Sequence, residues 1–320
     1  MNLPEPEVSP PDLTVVVVNW NTVELLDDCL RSIGEHPATD VTTEIIVVDN
    51  ASHDGSVEHL REAWPDVRVI ANTENVGFCR ANNQAIRAST SEFLLLINTD
   101  ARLTEGCLDR LVSRFRADRH TGVVGPRLIY GDGTFQRWTA GRQLSVGSCA
   151  NYFLLLDRLA RRYPRLSGIY LPYDTNEPFQ PGWVSSAVMA VRRTALDDVG
   201  LLDERIFVYM DDVDLCQRMT DAGWRVWYAA DATAVHFMGA STRRQTGKAS
   251  PEALRAFNRW FERRHGRPRA TAVRALEAVG FSARAAAYAT SGLVRGDDDA
   301  RRQARAHWTH VKLSLESTHV

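Results

Sequence analysis

Four apolar runs, separated by segments of helical period, constrain this chain more than any other feature. They are LTVVVVN (Leu13 to Asn19), EIIVVDN (Glu44 to Asn50), VRVIAN (Val67 to Asn72) and EFLLLINTD (Glu92 to Asp100). Each is far too short to span a membrane, and the β-branched continuity reads as a strand buried on both faces. Between the first two, Leu25, Leu26, Cys29, Leu30 and Ile33 recur at helical spacing, with Asn21 or Thr22 placed to cap them. SHDGSVEHLREAW, ENVGFCRANNQAIRAS and LTEGCLDRLVSRFRAD supply further helices. This alternation predicts an α/β fold: a mostly parallel central sheet covered by helices.

Beyond GVVGPRLIYGDGTFQRW the alternation weakens. Asp132-Gly133 reads as a hairpin turn, and the stretch from Ala140 to Phe179 as irregular. WVSSAVMAVR (Trp183 to Arg192) predicts one strand, TALDDVG a short helix and WRVWYAADATAVHF several short strands. From Pro251 the pattern is helical, with Leu254, Phe257 and Phe261 on one face and Arg255, Arg259 and Arg263 in a neighbouring row.

A hydrophobic fraction of 44% and a charged fraction of 24% suit a soluble globular chain. Five scattered cysteines without a C-x-x-C pair argue against a disulfide framework and a cysteine zinc site. MNLPEPEVSPPD carries acids and prolines where a signal peptide would be basic, then apolar. A cytoplasmic location is expected. From Ser241 onward there are 16 Lys and Arg against 7 Asp and Glu, a net +9, which leaves −11 on the first 240 residues. A basic tail on an acidic body fits peripheral contact with the inner face of a membrane through Trp260, Phe261 and Trp308, or docking on the body or a homodimer partner. The acidic body and the lack of a recognition motif disfavour nucleic acid.

Ligands of open parallel sheets bind beyond the carboxyl ends of the strands. Three of the runs stop there on polar residues: Asn19, Asp49-Asn50, and Asn98 with Asp100. An acid at Asp49 can accept hydrogen bonds from a nucleotide base or ribose. No G-x-G-x-x-G follows the first strand and no P-loop occurs, so a diphosphate ligand would need a metal or basic side chains. Asp100 suits a hard cation such as Mg2+ or Mn2+, and His236 is a candidate nitrogen ligand. FVYMDDVDLCQRMTDAGW (Phe207 to Trp224) then packs three acids at the mouth of an apolar helix. With a helix over Asp212 to Ala222 stopped by Gly223, Asp211 is the expected N-cap and Asp214 the partner of Arg218. Asp212 points with Leu215, Cys216 and Met219, where partial burial would raise its basicity; it is the expected general base.

VVVNWN, VVDNASHDGS, ENVGFCRANNQAI, LLLINTD, GPRLIYGDGTFQ, WVSSAVMAVRR, DERIFVYMDDVDLCQRMTDAGWRV and AVHFMGAST, in that order, resemble the family-2 glycosyltransferases of the GT-A fold, in particular rhamnosyltransferase-like members. The resemblance covers about three quarters of the chain. It implies a catalytic domain over residues 13–242, with a nucleotide-binding half to 125 and an acceptor half from 126, between a leader (1–12) and a basic helical region (243–320). It implies donor contacts at Asn19, Asp49, Asn50, Asn75, Arg80, Asn82, Asn98 and Asp100, and a Mg2+ or Mn2+ ion at Asp100 and His236. It also implies a base from the pair Asp211-Asp212, and an acceptor side formed with Trp183, Ser185 and Ser186. The chain departs from the commoner pattern at Asn98-Thr99-Asp100, at Val184-Ser185-Ser186-Ala187 and at Gly200-Leu201-Leu202-Asp203-Glu204.

The expected activity is inverting transfer of a sugar from a nucleotide sugar to a hydroxyl of a cell-envelope or lipid-linked glycan. On the resemblance alone the donor is dTDP-L-rhamnose. Alternatives are a different acceptor such as a secondary metabolite, a sugar nucleotidyltransferase (disfavoured by the missing Gly-rich phosphate loop), and a non-catalytic nucleotide-sugar-binding protein.

Overall fold

The computed structural model describes residues 10–171, 173–237 and 250–316. Most of the leader, the end of AVHFMGAST and the start of the basic region lie outside the described residues. The first half alternates as its apolar pattern predicts. In chain order it runs β1 (Leu13–Asn19), α1 (Val23–Glu35), β2 (Thr43–Asp49), α2 (Ser56–Ala63), β3 (Arg68–Ala71), α3 (Phe78–Ala88) and β4 (Phe93–Asn98). β1 pairs in parallel with β2 and β4, and β2 with β3. Next come β5 (Ala101–Leu103), α4 (Cys107–Ala117), β6 (Thr121–Ile129), β7 (Ala140–Gly141), α5 (Val146–Phe153), β8 (Trp183–Val184) and β9 (Val188–Arg192). α6 (Arg193–Val199), α7 (Asp211–Asp221) and β10 (Arg225–His236) follow, then α8 (Pro251–His265), α9 (Arg267–Arg295) and α10 (Asp298–Leu315).

Eight strands form one sheet in the order β3-β2-β1-β4-β9-β6-β10-β5. Only β9, between β4 and β6, and β5, on the edge, run antiparallel to their neighbours. Successive residues of a strand face opposite sides, so Val15 and Val17 join one core with α1 and α4. Val16 joins the other, with α3, α7 and the C-terminal helices. Burial on both sides is why the strands read as unbroken apolar runs.

Two segments differ from expectation. Trp183 to Arg192 is not one strand: β8 pairs with β7 in a separate two-stranded sheet, whereas β9 belongs to the main sheet. Ser185, Ser186 and Ala187 form the step between the sheets, and the Ser185 N–H donates to the Thr139 carbonyl at 2.9 Å. Conversely, the segment expected as several short strands is one strand, β10, continuous from Arg225 to His236 with a register shift against β6 between Ala229 and Thr233. Pairing with β6 along one side and β5 at its end carries it across the irregularity.

The C-terminal helices form the helical appendage to the sheet domain and pack against it. Leu254, Phe257, Trp260 and Phe261 are buried in the same core as Phe153 of α5, so this stripe is turned toward the body. The Trp260 indole N–H donates to Asp214 Oδ1 at 2.9 Å, and Arg284 donates to the carbonyls of Phe153 and Tyr152 at 3.0 and 3.1 Å. Of the three aromatic residues expected to suit a membrane surface, Trp260 and Phe261 are therefore occupied in the core; Trp308 is exposed. No helix among the described residues is long and apolar enough to cross a membrane.

Candidate active site

Parallel register carries the polar ends of β1, β2 and β4 to one edge of the sheet. Asn19 pairs with Asp49 across the strands, and Asn98 lies beside Val18. Asp49 is 1% exposed, and its carboxylate accepts from Asn19 Nδ2 at 2.8 Å and from the Ser52 N–H at 2.9 Å. The strand ends thus present a fixed acceptor whose geometry depends on Ser52, a residue the sequence reading did not single out. Asn50 extends the group: its side-chain oxygen accepts from Asn72, and its amide approaches the Gly77 carbonyl at 3.4 Å. Asn75 Oδ1 accepts the Gly77 N–H at 3.0 Å, which shapes the entry to α3. Gly77 is indispensable there: its φ is +88°, and a Cβ would stand 2.7 Å from the Phe207 ring.

Beside this group, Asp100 from the turn between β4 and β5 meets His236 from the end of β10, with Nε2 of His236 3.4 Å from Oδ1 of Asp100. The imidazole orientation is set from behind by Gln136, which is wholly buried. The Gln136 amide group donates to the carbonyls of Ile129 and His236, so its Oε1 is an acceptor, 3.0 Å from His236 Nδ1. A hydrogen bond from Nδ1–H to that oxygen fixes the ring with Nε2 toward Asp100. An imidazole nitrogen and a carboxylate oxygen brought face to face can ligand a cation together. Asn98 Oδ1 is a further buried oxygen with no hydrogen-bond partner. An Asp, a His and an amide oxygen fit a hard divalent ion that keeps open positions for substrate phosphate; a cluster of three His, Cys, Asp or Glu is absent among the described residues. Gln136 carries no sequence signal of this role, because its partner lies one hundred residues away.

The acid pair enters through the step between sheets. The Asn98 N–H donates to the Ala187 carbonyl at 3.0 Å, fixing Ser186 next to the end of β4. The Ser186 hydroxyl bonds Asp211, and its backbone N–H bonds Asp212. Helix α7 begins at Asp211 itself, one residue earlier than expected, and its cap position is Met210 with no side-chain cap. Tyr209 and Met210 both have φ near +65°, at +64° and +68°. Two successive left-handed non-glycine residues cost on the order of 1–3 kcal/mol each, strain that characteristically gathers at functional sites. This tight turn swings Asp211 inward: it is 5% exposed, with Oδ2 buried and unpartnered, so it is not the N-cap. Asp212 is half-buried. Burial first, then the Asp211 charge, pushes its pKa up to about 8 against hydrogen bonds from the Val213 and Ser186 N–H groups. Asp211 is raised as well, mainly by burial. A carboxyl pair of this kind retains a proton near neutrality.

Asp214 is held as expected by Arg218, at 2.8 Å, with Trp260 on its other oxygen. Gly223, at φ +88°, ends the helical segment. Three further expected site residues have partners of their own. Arg80 pairs with Glu204 at 3.4 Å, an acid it shares with Arg87 and Asn83. Asn82 is buried with its amide on the Phe78 carbonyl. Trp183 is 4% exposed, its indole N–H donating to the Ile169 carbonyl; it supports the step from behind. Ser185 Oγ accepts the Ala187 N–H within the step.

The stretch that carries the strand-end acids matches a known family. The model for glycosyl transferase family 2 matches residues 14–200. The chain belongs to glycosyl transferase family 2. Among relatives of this glycosyltransferase, the N-acetylglucosaminyl-diphospho-decaprenol L-rhamnosyltransferase of Mycobacterium tuberculosis is 28% identical over 244 residues, spanning 72% of this chain and 78% of that protein. The pre-mycofactocin glycosyltransferase of the same organism is 28% identical over 233 residues, 70% of this chain and 42% of that one. In fold the glycosyltransferase is similar to a mannosyltransferase from Pyrobaculum calidifontis in complex with GDP-Man and Mn2+. The TM-score is 0.58 at 20% identity, over 98% of this chain and 90% of that chain. The fold is GT-A, with the C-terminal helices added to its core.

Proposed function

We propose that this glycosyltransferase moves a deoxyhexose, L-rhamnose from dTDP-L-rhamnose, to a hydroxyl of a lipid-linked or cell-envelope glycan with inversion. The observation that carries the reading is the acid pair on α7, tied through Ser186 to the strand end that bears Asp100. The donor and acceptor classes draw support from the relative that acts on a diphospho-decaprenol carrier. We assign residues 13–242 to catalysis, with donor contacts at Asn19, Asp49, Asn50 and Asn98.

In a single displacement, Asp212 takes the proton of the acceptor hydroxyl as that oxygen attacks the anomeric carbon. The bond from that carbon to the diphosphate breaks on the opposite face, and the nucleoside diphosphate leaves with both electrons. The Ser186 N–H holds Asp212, and the Asp211 charge tunes its basicity. Asp100 and His236 would hold the divalent ion, which when bound supplies charge compensation to a leaving diphosphate. Gln136 orients the His236 ring for that purpose.

Three nucleotide sugars, dTDP-L-rhamnose, UDP-GlcNAc and GDP-mannose, offered with an N-acetylglucosaminyl-diphospho-lipid acceptor would test this. Rhamnosyl transfer that needs added Mg2+ or Mn2+, and that falls by several orders of magnitude in Asp212→Asn, is the expected result. Transfer from another donor alone would overturn the sugar assignment, and near-normal turnover in Asp212→Asn the assignment of the base.

A further inference from the structure

A cavity of about 830 Å3 opens where the N-terminus of α5, the flank of α7 and the α8–α9 corner meet. Its wall includes Gln217, five residues along α7 from Asp212, or roughly 8 Å of helix. The wall carries Arg142, Arg165, Arg269 and His265 and contains neither Asp nor Glu. On α8 and at its junction with α9, Arg255, Arg259, Arg263, Arg264 and Arg267 are each paired with a carboxylate. Arg142, Arg165 and Arg269 have no carboxylate partner among the described residues. Arg142 donates only to the Arg165 carbonyl, at 3.3 Å.

Neutral donors complete the lining. Ser145 caps α5 by accepting the Ser148 N–H, and the first turn of that helix, Val146 to Ser148, lines the cavity. At Gly147, in that turn, a Cβ would meet nothing nearer than Ser145 Oγ at 3.8 Å, so the backbone is open to close approach. The Asn151 amide is tethered to the carbonyls of Arg165 and Ser167, both at 3.1 Å, holding the Arg165 loop in place. Unpaired guanidiniums over a helix N-terminus are the chemistry that recognises phosphate.

We infer that this cavity is a phosphate-ester site, separate from the donor site, that takes a phosphate or diphosphate group. Its volume leaves room for the organic remainder of such a ligand. Convergence of three unpaired cations carries a repulsion that a bound anion removes, and neither sugar transfer at Asp212 nor packing of the C-terminal helices calls for it.

The test is calorimetric titration of the full chain with inorganic pyrophosphate in the presence of EDTA, which silences metal-dependent binding at Asp100. Saturable binding by the wild type is expected, at least tenfold weaker in Arg165→Gln/Arg269→Gln and unchanged in Asp100→Ala. Both arginines are exposed, so the double variant should keep the wild-type unfolding temperature without ligand. Absence of saturable binding, equal affinity in the double variant, or loss of binding in Asp100→Ala would each overturn the site. Sedimentation with phosphatidylcholine vesicles, with and without phosphatidic acid, separates the two sources of the phosphate. Retention of the wild type but not the double variant by phosphatidic acid supports a lipid headgroup; pyrophosphate binding with no retention supports a soluble ester.

Discussion

Replacing Asp211 by Asn separates the two acids of α7 by their roles. Asp212 has its pKa pushed up to about 8, through burial and the neighbouring Asp211 charge. A base with that value is about one-tenth ionised at pH 7 and about one-hundredth at pH 6. The acceptor-dependent kcat/KM should therefore rise about tenfold per pH unit and level off above pH 8, because only the ionised carboxylate removes a proton. Asn at position 211 can still accept the Ser186 hydroxyl while removing the like charge. Losing that charge should lower the Asp212 pKa by about one unit or more, since each unit corresponds to about 1.4 kcal/mol of interaction. The acid limb then moves toward lower pH, and at pH 6 the variant runs roughly tenfold closer to its own plateau. The position of the limb is the readout, and a general loss of activity leaves it unmoved. Initial rates at saturating donor between pH 5.5 and 9.5 measure it. An unmoved limb in Asp211→Asn would remove the Asp211 charge as its cause, and loss of turnover in Asp211→Asn with near-normal turnover in Asp212→Asn would refute the assignment and make Asp211 the base.

Three further outcomes are expected. Gln136→Leu removes the acceptor behind His236 Nδ1 and should weaken Mn2+ binding, measured by electron paramagnetic resonance, by about 10–100-fold; an unchanged affinity would remove Gln136 from the site. Glu277, wholly buried and bonded by Asn258 at 3.0 Å, has its pKa pushed up from 4.5 to about 7, chiefly by burial. The folded state thus holds this proton more tightly than the unfolded chain. Its contribution is intact below pH 4.5 and is lost as pH rises through about 7, about 3 kcal/mol in all; Glu277→Gln should flatten that decline in urea titrations, and parallel curves for the two proteins would contradict it. Trp260→Phe keeps most of the ring but removes the N–H on Asp214, and should cost about 1–3 kcal/mol of stability on urea unfolding.

The legible parts of the site are those whose signal is local. Asn19, Asp49, Asn98 and Asp100 stand at the ends of apolar runs, and parallel pairing must bring such ends to one edge. Asp214 and Arg218 were readable because a helix sets residues four apart face to face. Asp211 was misread as a cap because the left-handed turn at Tyr209 and Met210 has no glycine or asparagine to announce it. Trp183 to Arg192 read as one strand because an apolar run does not reveal that its two ends pair in different sheets.

By itself, then, the sequence determined the alternating architecture, the polar strand ends and the acidic mouth of α7, because hydrophobic period and strand direction are properties of adjacent residues. Tertiary structure alone decided which acid is buried deepest, through the step that places Ser186 against both carboxyls. It decided the orientation of the His236 ring, through a glutamine from a distant hairpin. It also decided that Trp260 and Phe261 face the body: an apolar stripe records that a surface must be covered, and only the folded chain records by what.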